Sequence, residues 1–115
     1  DIDIHLKDGV GDEQYLMNLR DAYSTAIAAF RPNLVAYVAG ADPYVEDQLG
    51  GLGLTLEGLK ERDRIVFESA LRYRAAVVVT LAGGYAYDVN DTVTIHANTA
   101  KAAKEVLSDA GWHRG

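Results

Sequence analysis

An uninterrupted apolar run, LVAYVA at residues 34–39, constrains the fold more than any other part of the sequence. A run of this kind is typical of a parallel strand that is buried on both faces. It ends at Gly40, and Asp42 follows two residues later. Ligands of open α/β sheets bind at the carboxyl ends of the strands, because the loops leaving those ends converge there. We therefore predict a ligand-binding loop that carries the Asp42 carboxylate.

The rest of the chain alternates between strand and helix patterns. Alternating apolar residues predict a first strand at residues 2–6, and a second β-branched run, AVVVTL, predicts a strand at residues 76–81. Apolar residues at helical spacing predict three helices, at residues 12–30, residues 55–73, and from Asp88 or Asp91 to residue 110. The predicted order is β-α-β-α-β-α, which implies a parallel sheet with helices packed on its faces.

Individual residues predict how the helices begin, which helix side faces solvent and where the backbone turns. Asp12 and Thr55 are the predicted N-caps of the first two helices. The charged stretch EGLKERDR, at residues 57–64, is predicted to lie on the solvated side of the second helix. In the loop after the second strand, three glycines at positions 50, 51 and 53 predict backbone conformations that residues with a Cβ avoid.

Length, charge and composition exclude several functions. A chain of 115 residues forms at most one domain, and its opening inside the alternating pattern DIDIHL predicts a piece of something longer. Eleven basic against 17 acidic residues give a net charge of −6, which argues against direct nucleic-acid binding but tolerates a basic peptide partner. No apolar run is long enough for a bilayer, so we expect no membrane insertion. The lack of cysteine excludes thiolate metal sites and, with no signal-like start, predicts a cytoplasmic protein.

Two residues are the leading candidates for chemistry. Asp42 at a strand tip suits a metal ligand or a general base, although it could instead close an Asx turn ahead of Pro43. Tyr85 follows Gly83 and Gly84 at the tip of the last strand, where a phenol could donate a hydrogen bond to a developing oxyanion. The alternative for Tyr85 is a half-buried turn residue. Because parallel strands end on one side, we predict that Asp42 and Tyr85 lie at the same edge of the sheet.

Histidine and nucleotide-binding motifs give no competing site. His5, His96 and His113 lack the spacing of a helical zinc site, so each is interpreted as structural. The sequence contains no GxSxG elbow, no phosphate-loop lysine motif and no GxGxxG.

Four motifs occur in a fixed order between Ile4 and about Ala100: AGAD, DxLGGL, GLxxRDxxVF and GGY. With them the chain resembles the C-terminal part of histone deacetylase family amidohydrolases, most closely the class IV branch and its bacterial relatives. The resemblance implies a three-layer α/β/α parallel sheet of the arginase and deacetylase type. Of that fold the chain would hold the C-terminal β-α-β-α-β-α portion, so residues 1–115 would form the C-terminal part of a single catalytic domain.

The same resemblance implies zinc-dependent hydrolysis of acetyl-amide bonds. Asp42 matches the aspartate that ends the GAD motif and binds zinc, and Tyr85 matches the tyrosine that hydrogen-bonds the carbonyl under attack. Gly83 and Gly84 match glycines beside the acyl tunnel, and Leu49 matches an apolar residue near its mouth. The other zinc ligands and the paired histidines of the family would lie N-terminal to this chain.

We therefore hypothesise that the chain is a C-terminal fragment that carries half of a deacetylase site. The substrate would be an acetylated lysine peptide or a small acetylated amine. The partner of the fragment would be the missing N-terminal part of the same domain, and the 115 residues alone are predicted to be inactive. One alternative is a noncatalytic remnant or interaction module that keeps the fold. Another is a deacetylase that acts on small acetylated amines.

Overall fold

The computed structural model describes residues 1–111, which form three helices and two strands. In chain order these are α1 (Asp12–Phe30), β1 (Leu34–Gly40), α2 (Leu56–Arg72), β2 (Ala76–Ala82) and α3 (Val89–Asp109). Each lies within one residue of the corresponding predicted element. Among these helices none is both long and apolar enough to cross a bilayer.

The predicted first strand at residues 2–6 is wrong. Within the described chain this segment forms no regular secondary structure and pairs with no strand, and Ile2 and Ile4 are exposed. A strand needs hydrogen bonds from a neighbouring backbone, and alternation of apolar residues cannot show whether such a neighbour is present. The observed order is therefore α-β-α-β-α.

The two strands form a parallel sheet whose register runs from Leu34 opposite Ala76 to Gly40 opposite Ala82. One sheet face packs against α2 and α3 through a cluster of Tyr37, Phe67, Val77, Ala102, Ala103 and Val106. The opposite face is open, and large apolar side chains on it are exposed, namely Leu34, Val38 and Val78. The predicted α/β class is confirmed, while the described residues supply the sheet and a helical layer on one side of it.

Helix α2 lies between α1 and α3 and carries a buried charged pair. Arg62 is 3% exposed and Asp63 is fully buried, so the prediction that the charges of residues 57–64 all face solvent is wrong for these two. Both positions lie three or four residues after Leu59, and therefore on the apolar side of the helix. The other charges of the stretch are at least partly exposed.

The buried pair joins α2 to the sheet and to α3. The Arg62 guanidinium lies 3.0 Å from the Asp63 carboxylate and donates a 2.5 Å hydrogen bond to the carbonyl oxygen of Gly40, the last residue of β1. The Asp63 carboxylate also accepts hydrogen bonds from the hydroxyls of Tyr37 in β1 and Thr99 in α3. This network holds the carboxyl end of β1 in place.

Of the two predicted N-caps, Thr55 is confirmed and Asp12 is wrong, and Asp88, one of the two predicted starts of the last helix, is its N-cap. The Thr55 hydroxyl accepts a 3.0 Å hydrogen bond from the Gly58 amide at the start of α2, and Asp88 caps α3. The N-cap of α1 is Gly11, which forms no side-chain cap. Asp12 instead begins the helix, and its carboxylate accepts hydrogen bonds from the backbone and hydroxyl of Thr55. The side chain of Asp12 thus connects the start of α1 to the start of α2.

Tyr44 anchors the loop that follows β1. Its ring is buried in a cluster with Ala41, Leu54, Leu59 and Ile95. Its hydroxyl donates a 2.8 Å hydrogen bond to the carboxylate of Asp91, near the start of α3. Burial, together with this hydrogen bond and nearby carboxylates, raises the pKa of Tyr44 to about 12.

We predict that the Asp63→Ala substitution lowers the free energy of unfolding of the full-length protein by about 3–5 kcal/mol, because it leaves the Arg62 charge buried without its partner. The matched control is Glu61→Ala, which removes a half-exposed ion pair with Arg20 and should cost about 1 kcal/mol or less. Urea unfolding followed by circular dichroism measures both losses. Equal losses in the two variants would contradict the proposed importance of the buried network.

The raised pKa of Tyr44 predicts a pH dependence of stability. An unfolded tyrosine ionises near pH 10, whereas folded Tyr44 keeps its proton until about pH 12. The stabilisation from Tyr44 is therefore complete below pH 10 and is lost as the pH rises towards 12. The urea concentration at the midpoint of unfolding should fall between about pH 9 and about pH 11 in both proteins. The fall should be smaller in Tyr44→Phe than in the wild type, because the variant lacks the ionising hydroxyl. An equal fall in both proteins would show that Tyr44 does not have this raised pKa.

Candidate active site at the strand tips

The carboxyl ends of the two strands lie side by side. Gly40 pairs with Ala82 at the end of the ladder, and the amide of Ala41 extends the pairing with a 2.9 Å hydrogen bond to the carbonyl of Ala82. Asp42 follows β1 and Tyr85 follows β2, so both leave the sheet at the same edge. The prediction about their shared edge is confirmed.

The Asp42 side chain is exposed and lies against two glycines. A Cβ atom built on Gly83 would lie 2.9 Å from its Oδ1 atom, and one built on Gly40 would lie 2.5 Å from the same atom. Within the described part of the chain, the Asp42 carboxylate takes part in no hydrogen bond or ion pair. The interpretation of Asp42 as an Asx-turn residue is therefore not what the structure shows, and its oxygens are free to meet a ligand.

Gly83 and Gly84 turn the chain between β2 and Tyr85. Their φ angles are +64° and +118°, values that residues other than glycine rarely adopt. This turn brings the backbone of Gly83 against Asp42 and directs the following residues back over the loop after β1. The positive φ angles favour glycine at both positions, and a Cβ atom would also crowd the side chain of Asp42 at position 83 and that of Thr92 at position 84.

Glycine 50 has a different reason for being glycine. The three loop glycines at positions 50, 51 and 53 were predicted to need unusual backbone angles, but none has a positive φ. A Cβ atom on Gly50 would instead lie only 1.9 Å from the carbonyl oxygen of Asp42. The loop thus folds back closely on the residue that follows β1, and a side chain at position 50 would displace Asp42.

The side chains of Tyr85 and Leu49 are exposed on neighbouring loops. The Tyr85 side chain is 59% exposed and that of Leu49 is 74% exposed. The amide of Gln48 donates a 2.9 Å hydrogen bond to the carbonyl of Tyr85, which ties the two loops together. The Tyr85 hydroxyl is therefore available to a ligand, and the half-buried interpretation of this residue is wrong.

Asp47 joins the same two loops and was not singled out from the sequence. It is buried, and its carboxylate accepts hydrogen bonds from the amides of Leu49 at 2.9 Å, Gly50 at 2.8 Å and Tyr85 at 2.9 Å. Burial raises the pKa of the Asp47 carboxyl, but the three backbone donors outweigh it and lower the pKa below its usual value. The run Asp-Gln-Leu-Gly-Gly, at residues 47–51, is the signal that could have indicated such a turn.

The histidines take no part in this arrangement. His5 is exposed beside Asp3, His96 lies in α3 with its Nδ1 atom buried without a partner among the described residues, and His113 lies outside the residues that the structure describes. Residues 1–111 contain no group of three or more His, Cys, Asp or Glu side chains that could hold a metal ion. The free carboxylate of Asp42 fits a single zinc ligand, since zinc accepts carboxylate oxygen.

Comparison with known proteins identifies the family. Residues 1–101 match the histone deacetylase domain. An uncharacterized protein of Picosynechococcus sp. is 36% identical over 106 residues, which are 92% of this chain and 35% of that protein. Histone deacetylase 2 of Arabidopsis thaliana is 34% identical over 82 residues, or 71% of this chain and 21% of that protein. The chain thus spans about a third or less of the length of these relatives.

A solved structure shares the fold. The acetylpolyamine aminohydrolase from Burkholderia pseudomallei superposes with a TM-score of 0.77 at 15% sequence identity, covering 91% of this chain and 29% of that one. At this identity the similarity concerns the fold alone. Together with the match over residues 1–101, the strand-tip geometry leads to one conclusion: the chain belongs to the histone deacetylase domain family.

Proposed function

We propose that this chain supplies part of the active site of a zinc-dependent hydrolase that cleaves acetyl-amide bonds. One observation carries the proposal: a free carboxylate, Asp42, and an exposed phenol, Tyr85, leave two paired parallel strands at one edge of the sheet. Membership of the histone deacetylase domain family supports this class of reaction.

Asp42 would contribute one zinc ligand. Its carboxylate has no competing hydrogen bond among the described residues, and its backbone is held by the close approach of Gly50. When bound, zinc polarises an acyl oxygen and activates water. Catalytic zinc sites use about three protein ligands, so the remaining ligands would come from parts of the protein outside residues 1–111.

Tyr85 would donate its hydroxyl proton in a hydrogen bond to the acyl oxygen of the substrate. Negative charge develops on this oxygen when the amide is attacked, and a fixed donor stabilises that charge more than it stabilises the ground state. The turn at Gly83 and Gly84, and the hydrogen bonds to the Tyr85 backbone, fix the backbone from which the phenol extends. Leu49 on the neighbouring loop would contact the acyl-bearing chain of the substrate.

The substrate would be an acetylated lysine peptide or a small acetylated amine. Both would present the same acetyl-amide group to the zinc that Asp42 would hold and to Tyr85, so these residues would serve either substrate. The acidic character of the chain suits the cationic surroundings of both substrates. The choice between them would depend on loops outside this chain.

The open face of the sheet supports a second part of the proposal. Val38 is 67% exposed, and the two strands have no further partner within the described residues. An apolar face and unpaired strand edges of this kind are normally covered. We propose that the remainder of the same domain covers them and brings the missing ligands to the strand tips.

Substitutions at the two site residues should separate metal binding from turnover. In the full-length protein, Asp42→Ala should lose both bound zinc and deacetylation, because it removes a ligand. Tyr85→Phe should keep zinc and lose about 10²–10³ in kcat, because the phenol acts on the transition state. The matched control is Tyr87→Phe, at an exposed tyrosine two residues further on, which should leave both unchanged.

Zinc content by atomic emission and turnover of an acetyl-lysine peptide and of an acetylated diamine provide the readouts. A Tyr85→Phe variant with wild-type kcat on both substrates would refute the role of the phenol. Zinc retained at full occupancy in Asp42→Ala would refute the role of the carboxylate. A wild-type protein that neither binds zinc nor turns over either substrate would favour a noncatalytic module instead.

The 115 residues alone should not bind zinc tightly and should show no deacetylation. A single carboxylate has no chelating partners, so its affinity for zinc should be weak. The exposed sheet face and strand edges should also cause self-association. Calorimetric zinc titration, a peptide deacetylation assay and analytical ultracentrifugation test this. Submicromolar zinc binding with measurable turnover would show that the 115 residues hold a complete site.

A further inference from the structure

The Asp47 carboxylate connects the loop that carries Asp42 to the loop that carries Tyr85. One oxygen accepts the amides of Leu49 and Gly50, and the other accepts the amide of Tyr85. The residue is only 6% exposed, so these hydrogen bonds are shielded from water. A buried group with all its bonds inside the protein gives directional and durable positioning.

We infer that Asp47 is a positioning residue for Tyr85. This inference rests on the proposed function, in which the Tyr85 phenol stabilises charge on the acyl oxygen. Asp47 itself does not touch the substrate, because its oxygens are occupied by backbone amides. Through the Tyr85 amide it sets where the phenol stands relative to Asp42, and through the Leu49 amide it sets the neighbouring apolar side chain.

The chemistry requires a carboxylate and not an amide at this position. Three N–H donors converge on the two oxygens, and an ionised carboxylate offers acceptors on both sides. Asparagine has nearly the same shape but one of its two ends is a donor. In Asp47→Asn, either the Tyr85 amide or the pair from Leu49 and Gly50 would face an NH₂ group, so the link between the loops would break.

The test is a double-mutant cycle in the full-length protein, using Asp47→Asn, Tyr85→Phe and both together. If Asp47 acts through Tyr85, Asp47→Asn alone should lower kcat by about 10- to 100-fold with zinc content retained. In the Tyr85→Phe background, the same substitution should change kcat by about 3-fold or less, because the hydroxyl that it positions is already absent. The matched control is Asp88→Asn, which keeps the N-cap of α3 and should leave kcat unchanged.

A loss of kcat on Asp47→Asn that is equally large in both backgrounds would overturn the inference, as would no loss at all in the wild-type background. If Tyr85→Phe itself keeps wild-type kcat, the proposed function fails, which is a separate outcome. Should Asp47→Asn not fold, hydrogen exchange of the wild-type protein decides. The Tyr85 amide should exchange at least about 10-fold slower than in an unstructured peptide, and exchange at the unstructured rate would overturn the inference.

Discussion

The buried ion pair of Arg62 and Asp63 is the interaction on which the rest of the structure depends. Removing two charges from water costs several kcal/mol, and the cost is offset only when every donor and acceptor is satisfied. Here Arg62 binds both Asp63 and the carbonyl of Gly40. The hydroxyls of Tyr37 and Thr99 donate further hydrogen bonds to the Asp63 carboxylate. The pair therefore joins the central helix to β1 and α3, and it fixes the point at which the chain leaves the sheet and reaches Asp42.

Two aspartates in the loop after β1 have opposite environments. Asp47 is buried and accepts hydrogen bonds from three backbone amides, so its carboxylate binds groups within the protein. Asp42 is exposed and lies against glycines, so its charge is available to a ligand. The same residue type can therefore either hold a loop in place or offer a carboxylate to a ligand, because burial and hydrogen bonding differ between the two positions.

Much of the fold could be predicted from the sequence because its signals are local. Thr55 and Asp88 cap helices through bonds to residues two or three positions away, and the apolar runs of β1 and β2 need no partner to be noticed. The predicted strand at residues 2–6 is not formed, because a strand needs a neighbouring strand to pair with and alternation of apolar residues does not show whether one is present. The prediction that all charges of residues 57–64 face solvent was wrong because it rested on charge alone. The spacing of Arg62 and Asp63 from Leu59 places both on the buried face of α2.

The positions of the candidate site residues could be predicted in part. Asp42 and Tyr85 stand at strand tips, and the parallel arrangement brings such tips to one edge regardless of packing detail. Asp47 could not be found in this way, because its importance arises from the Tyr85 amide, which is 38 residues away in the chain. The steric reason for Gly50 likewise depends on a carbonyl that only the folded loop brings near.

Anomalous diffraction at the zinc absorption edge, from crystals of the full-length protein, tests the central claim most directly. We predict one strong peak bonded to a carboxylate oxygen of Asp42 at about 2.0–2.2 Å, with the Tyr85 hydroxyl facing the same cavity. A zinc site whose ligands exclude Asp42, or a Tyr85 side chain directed away from the metal, would contradict it.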